Sequence, residues 1–146
     1  MASWAEFSRQ APELAAFGAD RFGSGVAYLG TIRQDGGPRV HPVTPILGEQ
    51  MFLFMEPTSP KGRDLLRDPR YALHCAVEDS SGGQGEFYVR GRATPVHDPA
   101  VRAQAVVVAP YDPAERYILF SLSVEFAFSN VYEEDGPNTR RWRQPS

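Results

Sequence analysis

The stretch that decides the fold runs Val26-Ala27-Tyr28-Leu29-Gly30-Thr31-Ile32-Arg33-Gln34-Asp35-Gly36-Gly37-Pro38-Arg39-Val40-His41-Pro42-Val43-Thr44-Pro45-Ile46-Leu47. Val26 to Arg33 has the composition and length of a strand. Gln34-Asp35-Gly36-Gly37 is a strong turn signal, and Arg39 to Leu47 returns as a second strand. Pro42 and Pro45 donate no ladder hydrogen bonds, so this second strand belongs at an edge, a bulge or a bend.

On the C-terminal side, Met51 to Met55 is a third, very apolar strand. A short helix follows over Ser59 to Arg67. Ser59 can cap it, Pro60 suits the first helical position, and Asp68-Pro69 ends it. Arg70 to Glu78 reads as a fourth strand and Asp79 to Gly85 as a Ser/Gly loop. Glu86 to His97 is a fifth strand with Gly91 inside it. Asp98 then caps a helix to about Ala109. Tyr117 to Ser123 and Glu125 to Tyr132 are two final strands. Glu133 to Asn138 reads as an acidic loop, and Thr139 to Ser146 as a basic tail holding Trp142. On the N-terminal side, Trp4, Phe7, Ala11, Leu14, Ala15 and Phe17 have the spacing of an amphipathic helix over residues 4–17. Pro12 interrupts or starts it. Gly18 to Gly25 reads as a loop.

About seven strands with two or three short helices predict a mainly β fold, a barrel or sandwich with helices as plugs or flanks. The 146 residues suit one domain over 1–146, with an N-terminal helix and loop over 1–25 and a tail over 133–146. Hydrophobic residues at 42% and charged residues at 23% give an ordinary globular balance. A net charge of -3 argues against a general nucleic-acid binder but leaves room for a local anion site. Lys61 is the only lysine among 15 basic residues, so its position matters more than the arginine bias, which reads as a GC-rich genome. Cys75 is the only cysteine, which excludes an intrachain disulfide and a cysteine-based zinc site and fits a reducing, cytoplasmic compartment. The N-terminus has no basic region followed by an apolar run, so no signal peptide is expected. No apolar run approaches the roughly 20 residues that span a bilayer, and no membrane partner is expected.

The three histidines, His41, His74 and His97, share no metal-ligand spacing. His74 and Cys75 are strand neighbours and so point to opposite faces. No metal site is expected. Gly23-Ser24-Gly25 precedes a strand instead of following one, which removes it as a dinucleotide fingerprint. There is no nucleophile elbow or P-loop, and catalytic residues stay unassigned. Ser121 and Ser123 alternate within a strand and read as structural. The segment Thr58-Ser59-Pro60-Lys61-Gly62-Arg63 differs, because it joins a buried strand to a helix start. Unpaired first-turn N–H groups, the helix dipole, two cations and two hydroxyls together describe a phosphate cradle. The plainer reading is a capped helix with a solvated basic face. Trp142, flanked by Arg140, Arg141 and Arg143, either covers an aromatic ligand or packs onto the barrel.

In this order these segments resemble the pyridoxamine 5'-phosphate oxidase-like family, the flavin-binding split barrels. The family's second-strand motif, Asp-Gly-x-Pro-x-x-Arg-x-Val, reads here Asp35-Gly36-Gly37-Pro38-Arg39-Val40-His41-Pro42-Val43. Its phosphate motif, roughly Ser-Arg-Lys-Gly-x-x-Leu-x-x-Asn-Pro, reads Ser59-Pro60-Lys61-Gly62-Arg63-Asp64-Leu65-Leu66-Arg67-Asp68-Pro69. Val89-Arg90-Gly91-Arg92-Ala93 and the tail Trp142-Arg143 fit as well.

The resemblance implies an antiparallel split barrel of six to seven strands that forms a homodimer, with the cofactor at the interface. FMN, or alternatively the deazaflavin F420, is the implied cofactor. By the same resemblance His41, Pro42, Val43 and Thr44 would lie along the ring, with Met55 and Glu56 beside it. Thr58, Ser59, Lys61, Gly62 and Arg63 would surround the phosphate, and Trp142 and Arg143 would reach the partner's cofactor. The implied activity is oxidoreductase chemistry, hydride transfer to a small planar substrate, with His41, Tyr88 or water as proton donor. His41 and Pro60 stand where the family has arginines, Ile46 replaces a second-strand lysine, and the C-terminal Arg-x-His motif is absent. Oxidation of pyridoxamine phosphate itself is therefore not expected. A non-catalytic flavin carrier or sensor, and haem or tetrapyrrole handling, are the alternatives.

Overall fold

The computed structural model describes residues 1–23, 25–78, 80 and 84–146. Ser24 of the discarded glycine motif and most of the Ser/Gly loop, Asp79 and residues 81–83, lie outside the described residues. The elements run α1 (Trp4–Gln10), α2 (Pro12–Phe22), β1 (Ala27–Ile32), β2 (Pro38–Val43), β3 (Ile46–Leu47), β4 (Met51–Met55), α3 (Pro60–Arg67), β5 (Arg70–Cys75), β6 (Glu86–Pro95), α4 (Pro99–Val108), β7 (Ile118–Leu122), β8 (Phe126–Glu133) and β9 (Gly136–Arg143). The fold is mainly β, as expected. It holds nine strands among the described residues, more than the six or seven anticipated.

Two corrections account for the difference. The second strand breaks at Thr44-Pro45 into β2 and β3, because Pro45 brings no N–H to a ladder. The acidic loop and basic tail form a hairpin instead of a loop and a coil. Tyr132 pairs with Pro137 and Ala127 with Trp142, and the turn closes where Gly136 takes φ +111°, a conformation glycine adopts freely. At the other end, the single helix expected over 4–17 is two helices that meet at Ala11. The second runs on to Phe22, through what read as a loop. Gly18 permits this, since a Cβ there would lie 2.3 Å from the Phe87 ring. The fourth strand ends at Cys75, not Glu78.

The strands form one antiparallel path, β2-β1-β5-β6-β7-β4-β3, with β8 also on β6 and β9 outside β8. β6 is the long strand that turns the corner. Residues 86–90 pair with β8, whereas Ala93 to Pro95 pair with β7 on the same edge. The chain passes from β7 to β8 at residues 123–125, tight against Gly91, where a Cβ would lie 2.0 Å from the Ser123 carbonyl oxygen. This splits the sheet into two wings and curls it into a half-barrel.

All five residues of β4 are buried because both faces are covered. Met51, Leu53 and Met55 enter the main core, and Phe52 and Phe54 pack with Ile46, Ala105 and Leu119 in a second cluster involving α4. The main core brings Trp4, Phe7 and Phe22 of α1 and α2 onto the inner sheet face. Edge-on contacts of Trp4 and Phe22 with Phe87, at 6.3 and 5.2 Å, tie the helices down. Each fully buried ring contributes about 1.5–3 kcal/mol. No helix among the described residues is long and apolar enough to cross a membrane.

Candidate functional site

β4 delivers Met55 and Glu56 to a tight turn, and α3 begins four residues later. Ser59 caps α3: its hydroxyl oxygen accepts the Gly62 N–H at 3.2 Å and its carbonyl accepts the Arg63 N–H at 3.1 Å. Pro60 has no N–H. Among the described residues, this leaves the Lys61 N–H as the one first-turn donor without a partner. The helix start is thus a narrower cradle than the sequence suggested, one amide and one ammonium of the same residue. Gly62 is buried beneath it, and a Cβ there would lie 2.9 Å from the Ser59 hydroxyl and disturb the cap.

Lys61 opens on a cleft of about 420 Å³ lined by Thr44, Phe54, Met55, Glu56, Ser59, Tyr111 and Tyr117. That size lies within the roughly 300–1,000 Å³ usual for small-molecule sites. Five of the expected residues meet here: Thr44, Met55, Glu56, Ser59 and Lys61. Glu56 is held by Arg116, which donates to both carboxylate oxygens at 3.0 and 3.1 Å. Those bonds keep its carboxyl below the ordinary value and blunt its repulsion of an anion. Sequence reasoning missed Phe54, Tyr111, Tyr117 and Arg116. Phe54 and Tyr117 read only as strand residues. Tyr111 sits between Pro110 and Asp112-Pro113, a turn signal that carried no hint of a wall.

The β1–β2 register sorts the second-strand residues by face. His41 lies opposite the buried Leu29, and Val43 opposite the buried Ala27, so both face inward. Pro42 lies opposite the exposed Tyr28 on the outer face, away from His41. The His41 Nε2 atom is buried without a hydrogen-bond partner among the described residues. Burial, then the charges of Lys61 and Arg39, push its imidazole below its ordinary value and outweigh the opposing pull of Asp64. A neutral ring with an unmet nitrogen close to a lysine suits an incoming ligand.

The remaining expected residues lie elsewhere. Thr58 is exposed in the turn and does not line the cleft. Arg63 faces a different cleft, with Arg33, Arg39, Pro60 and Arg67. Trp142 packs on Phe7 of its own chain at 5.0 Å and donates its indole N–H to Gln10 at 3.2 Å. Arg143 stacks over Phe126 at 5.1 Å, and Tyr88 lies between His74 and Phe128 on the outer face. Tyr88 is therefore on the opposite sheet face from His41, and neither His41 nor Val43 is among the residues lining the Lys61 cleft. His74 Nδ1 meets the Cys75 carbonyl oxygen at 2.6 Å, and His97 lines a separate pocket with Leu66 and Arg102.

An antiparallel half-barrel whose helix start presents a lone lysine at a cleft defines a split-barrel protein. A family model described as pyridoxamine 5'-phosphate oxidase matches residues 11–132, and the chain belongs to that family. Among solved structures it is similar to a pyridoxamine 5'-phosphate oxidase-related, FMN-binding protein from Nostoc punctiforme, with TM-score 0.66 and 13% identity over 89% of this chain and 88% of that one. It is similar to a NimC/NimA family protein from Clostridium acetobutylicum, with TM-score 0.65 and 14% identity over 87% and 91%. It is also similar to a heme-binding protein from Mycobacterium smegmatis, with TM-score 0.65 and 19% identity over 84% of this chain and 55% of that one. At these identities the likeness establishes the fold. No curated protein matches the chain.

Proposed function

We propose that the cleft at Lys61 binds FMN, or alternatively F420, and that the protein is an oxidoreductase acting on a small planar substrate. The observation that carries this reading is the only lysine of the chain, standing with an unpartnered amide at a helix start, its charge acting on the inward His41, whose Nε2 has no partner among the described residues. These groups fit an anionic phosphate next to a ring system. A bound flavin or deazaflavin supplies the hydride chemistry, while the protein supplies charge, orientation and shelter from water. Lys61 and its N–H hold the phosphate. Phe54, Tyr111 and Tyr117 offer aromatic walls, and His41 offers a neutral nitrogen.

The working form in this proposal is a homodimer with the cofactor near the interface. In its support, the outer sheet face carries Val40 and Tyr28 at 66% and 44% exposure, next to Pro42. Haem binding is the second reading, favoured by the buried, partnerless His41 nitrogen as an iron ligand and by the heme-binding protein of similar fold.

The deciding test is parallel titration of the cofactor-free protein with FMN, F420 and haem, read by fluorescence and absorbance. Tight FMN or F420 binding supports the proposal and selects the cofactor. A Soret band that His41→Ala abolishes, with neither flavin nor deazaflavin bound, replaces it with the haem reading. Turnover with a reductant separates the enzyme from a carrier or sensor.

A further inference from the structure

Beside the β1–β2 turn, the chain builds a second basic cleft of about 560 Å³ between that turn and α3. Four guanidinium groups line it: Arg33, Arg39, Arg63 and Arg67. Two carboxylates, Asp35 and Asp64, also line it, so its charge is about +2 on a chain whose net charge is -3. The arrangement is built, not incidental. Asp64 is 1% exposed and accepts from Arg39 at 2.7 Å, from Arg67 at 3.3 Å and from the Thr31 hydroxyl at 2.8 Å. This fixes two arginines at the cleft wall: Arg67 also donates to the Ile32 carbonyl oxygen at 3.2 Å, whereas Arg39 uses only its Nε–H and keeps its two terminal nitrogens without a partner among the described residues. Asp35 is 3.5 Å from Arg33. Arg63 has no side-chain partner among the described residues.

We propose that this cleft is a second anion site, separate from the one at Lys61, and that it takes an oligoanion, a chain bearing two or more phosphate or carboxylate groups. Guanidinium forks match such groups bidentately, and four of them spread along one cleft suit a chain more than a single phosphate. The site also gives Arg63 its role. The residue lines this cleft and not the one at Lys61. The inference does not depend on which cofactor the Lys61 cleft holds.

Calorimetric titration of the cofactor-free protein with tripolyphosphate tests it, alongside FMN titration of the same variants. Arg63→Gln and the double variant Arg33→Gln/Arg63→Gln change exposed side chains and spare the Asp64 network. Each should weaken tripolyphosphate by roughly tenfold or more while FMN affinity stays within about twofold. Lys61→Ala should do the reverse. Tripolyphosphate that still binds beside saturating FMN identifies a separate molecule as occupant. Tripolyphosphate that competes with either FMN or F420 overturns the proposal, since one ligand then fills both clefts. The proposal is overturned if tripolyphosphate ignores both arginine variants. It is equally overturned if Arg63→Gln weakens FMN as much as Lys61→Ala does, since the two clefts are then one site.

Discussion

Lys61 offers two donors at one point because its neighbours in the first turn of α3 are spent. Pro60 has no N–H, and Ser59 takes those of Gly62 and Arg63. Lys61→Ala removes only the ammonium, so cofactor affinity should fall by ~1.5–3 kcal/mol, the range for a hydrogen bond to a charged group, with the melting temperature unchanged. Unchanged affinity in the FMN titration removes Lys61 from the site. His41 carries a pH signature. Its imidazole is held below the ordinary 6.5, first by burial and then by Lys61 and Arg39, so it is neutral at pH 7. In the unfolded chain the ring protonates near 6.5, before the folded ring does. Folded-state stability therefore declines as pH falls below 6.5, until the folded ring also takes its proton. NMR titration of the imidazole should give a midpoint below 6.5 that moves up in Lys61→Ala. A midpoint indifferent to that substitution means the two groups do not sense each other.

At the scale of elements, Asp64 is the knot between α3, β1 and β2. Burial raises its carboxyl, but bonds from Arg39, Thr31 and Arg67 together outweigh this and hold it below the usual carboxylate range. The stabilisation is full above the ordinary carboxylate value and is lost as pH falls through the lower folded one. Asp64→Asn should cost about 2–4 kcal/mol in urea unfolding, less than a fully buried pair because both arginines reach solvent. A cost under half a kilocalorie would mean that solvent replaces the network. Gly91 is the corresponding point on β6. A methyl group there meets the Ser123 carbonyl, which is backbone and cannot swing away. Gly91→Ala should destabilise by more than about 2 kcal/mol, measured in the same way.

For the whole molecule, the proposed two-subunit form rests on the outer sheet face. Val40, Tyr28 and Pro42 lie there beside His74 and Tyr88, and Arg141 and Arg143 cover Phe128 and Phe126 at its far end. Light scattering on the purified chain should give twice the 16.2 kDa mass. Val40→Glu adds a charge to this face without touching the core, and should return the monomer. A wild-type monomer at all concentrations would rule out the two-subunit form.

The sequence alone determined the hairpin, the capped helix, the apolar β4 strand and the mainly β class, because each rests on local chemistry. Gly36 makes a turn, Ser59 makes a cap, and Pro60 suits only a first helical position. It also placed Met55, Glu56, Ser59 and Lys61 close together, since β4 and α3 adjoin in the chain, whereas Thr44 was reached only through the family resemblance. The β9 strand was not legible, because Gly136 to Arg143 is polar apart from Trp142 and becomes a strand only by pairing with β8. Nor was the run of α2 through Gly18, which depends on Phe87 lying beneath it. Only the tertiary structure put Pro42 on the outer face, Trp142 against Phe7, and Arg63 apart from Lys61. Those outcomes turn on strand register and on the face of a helix, and long-range packing sets both.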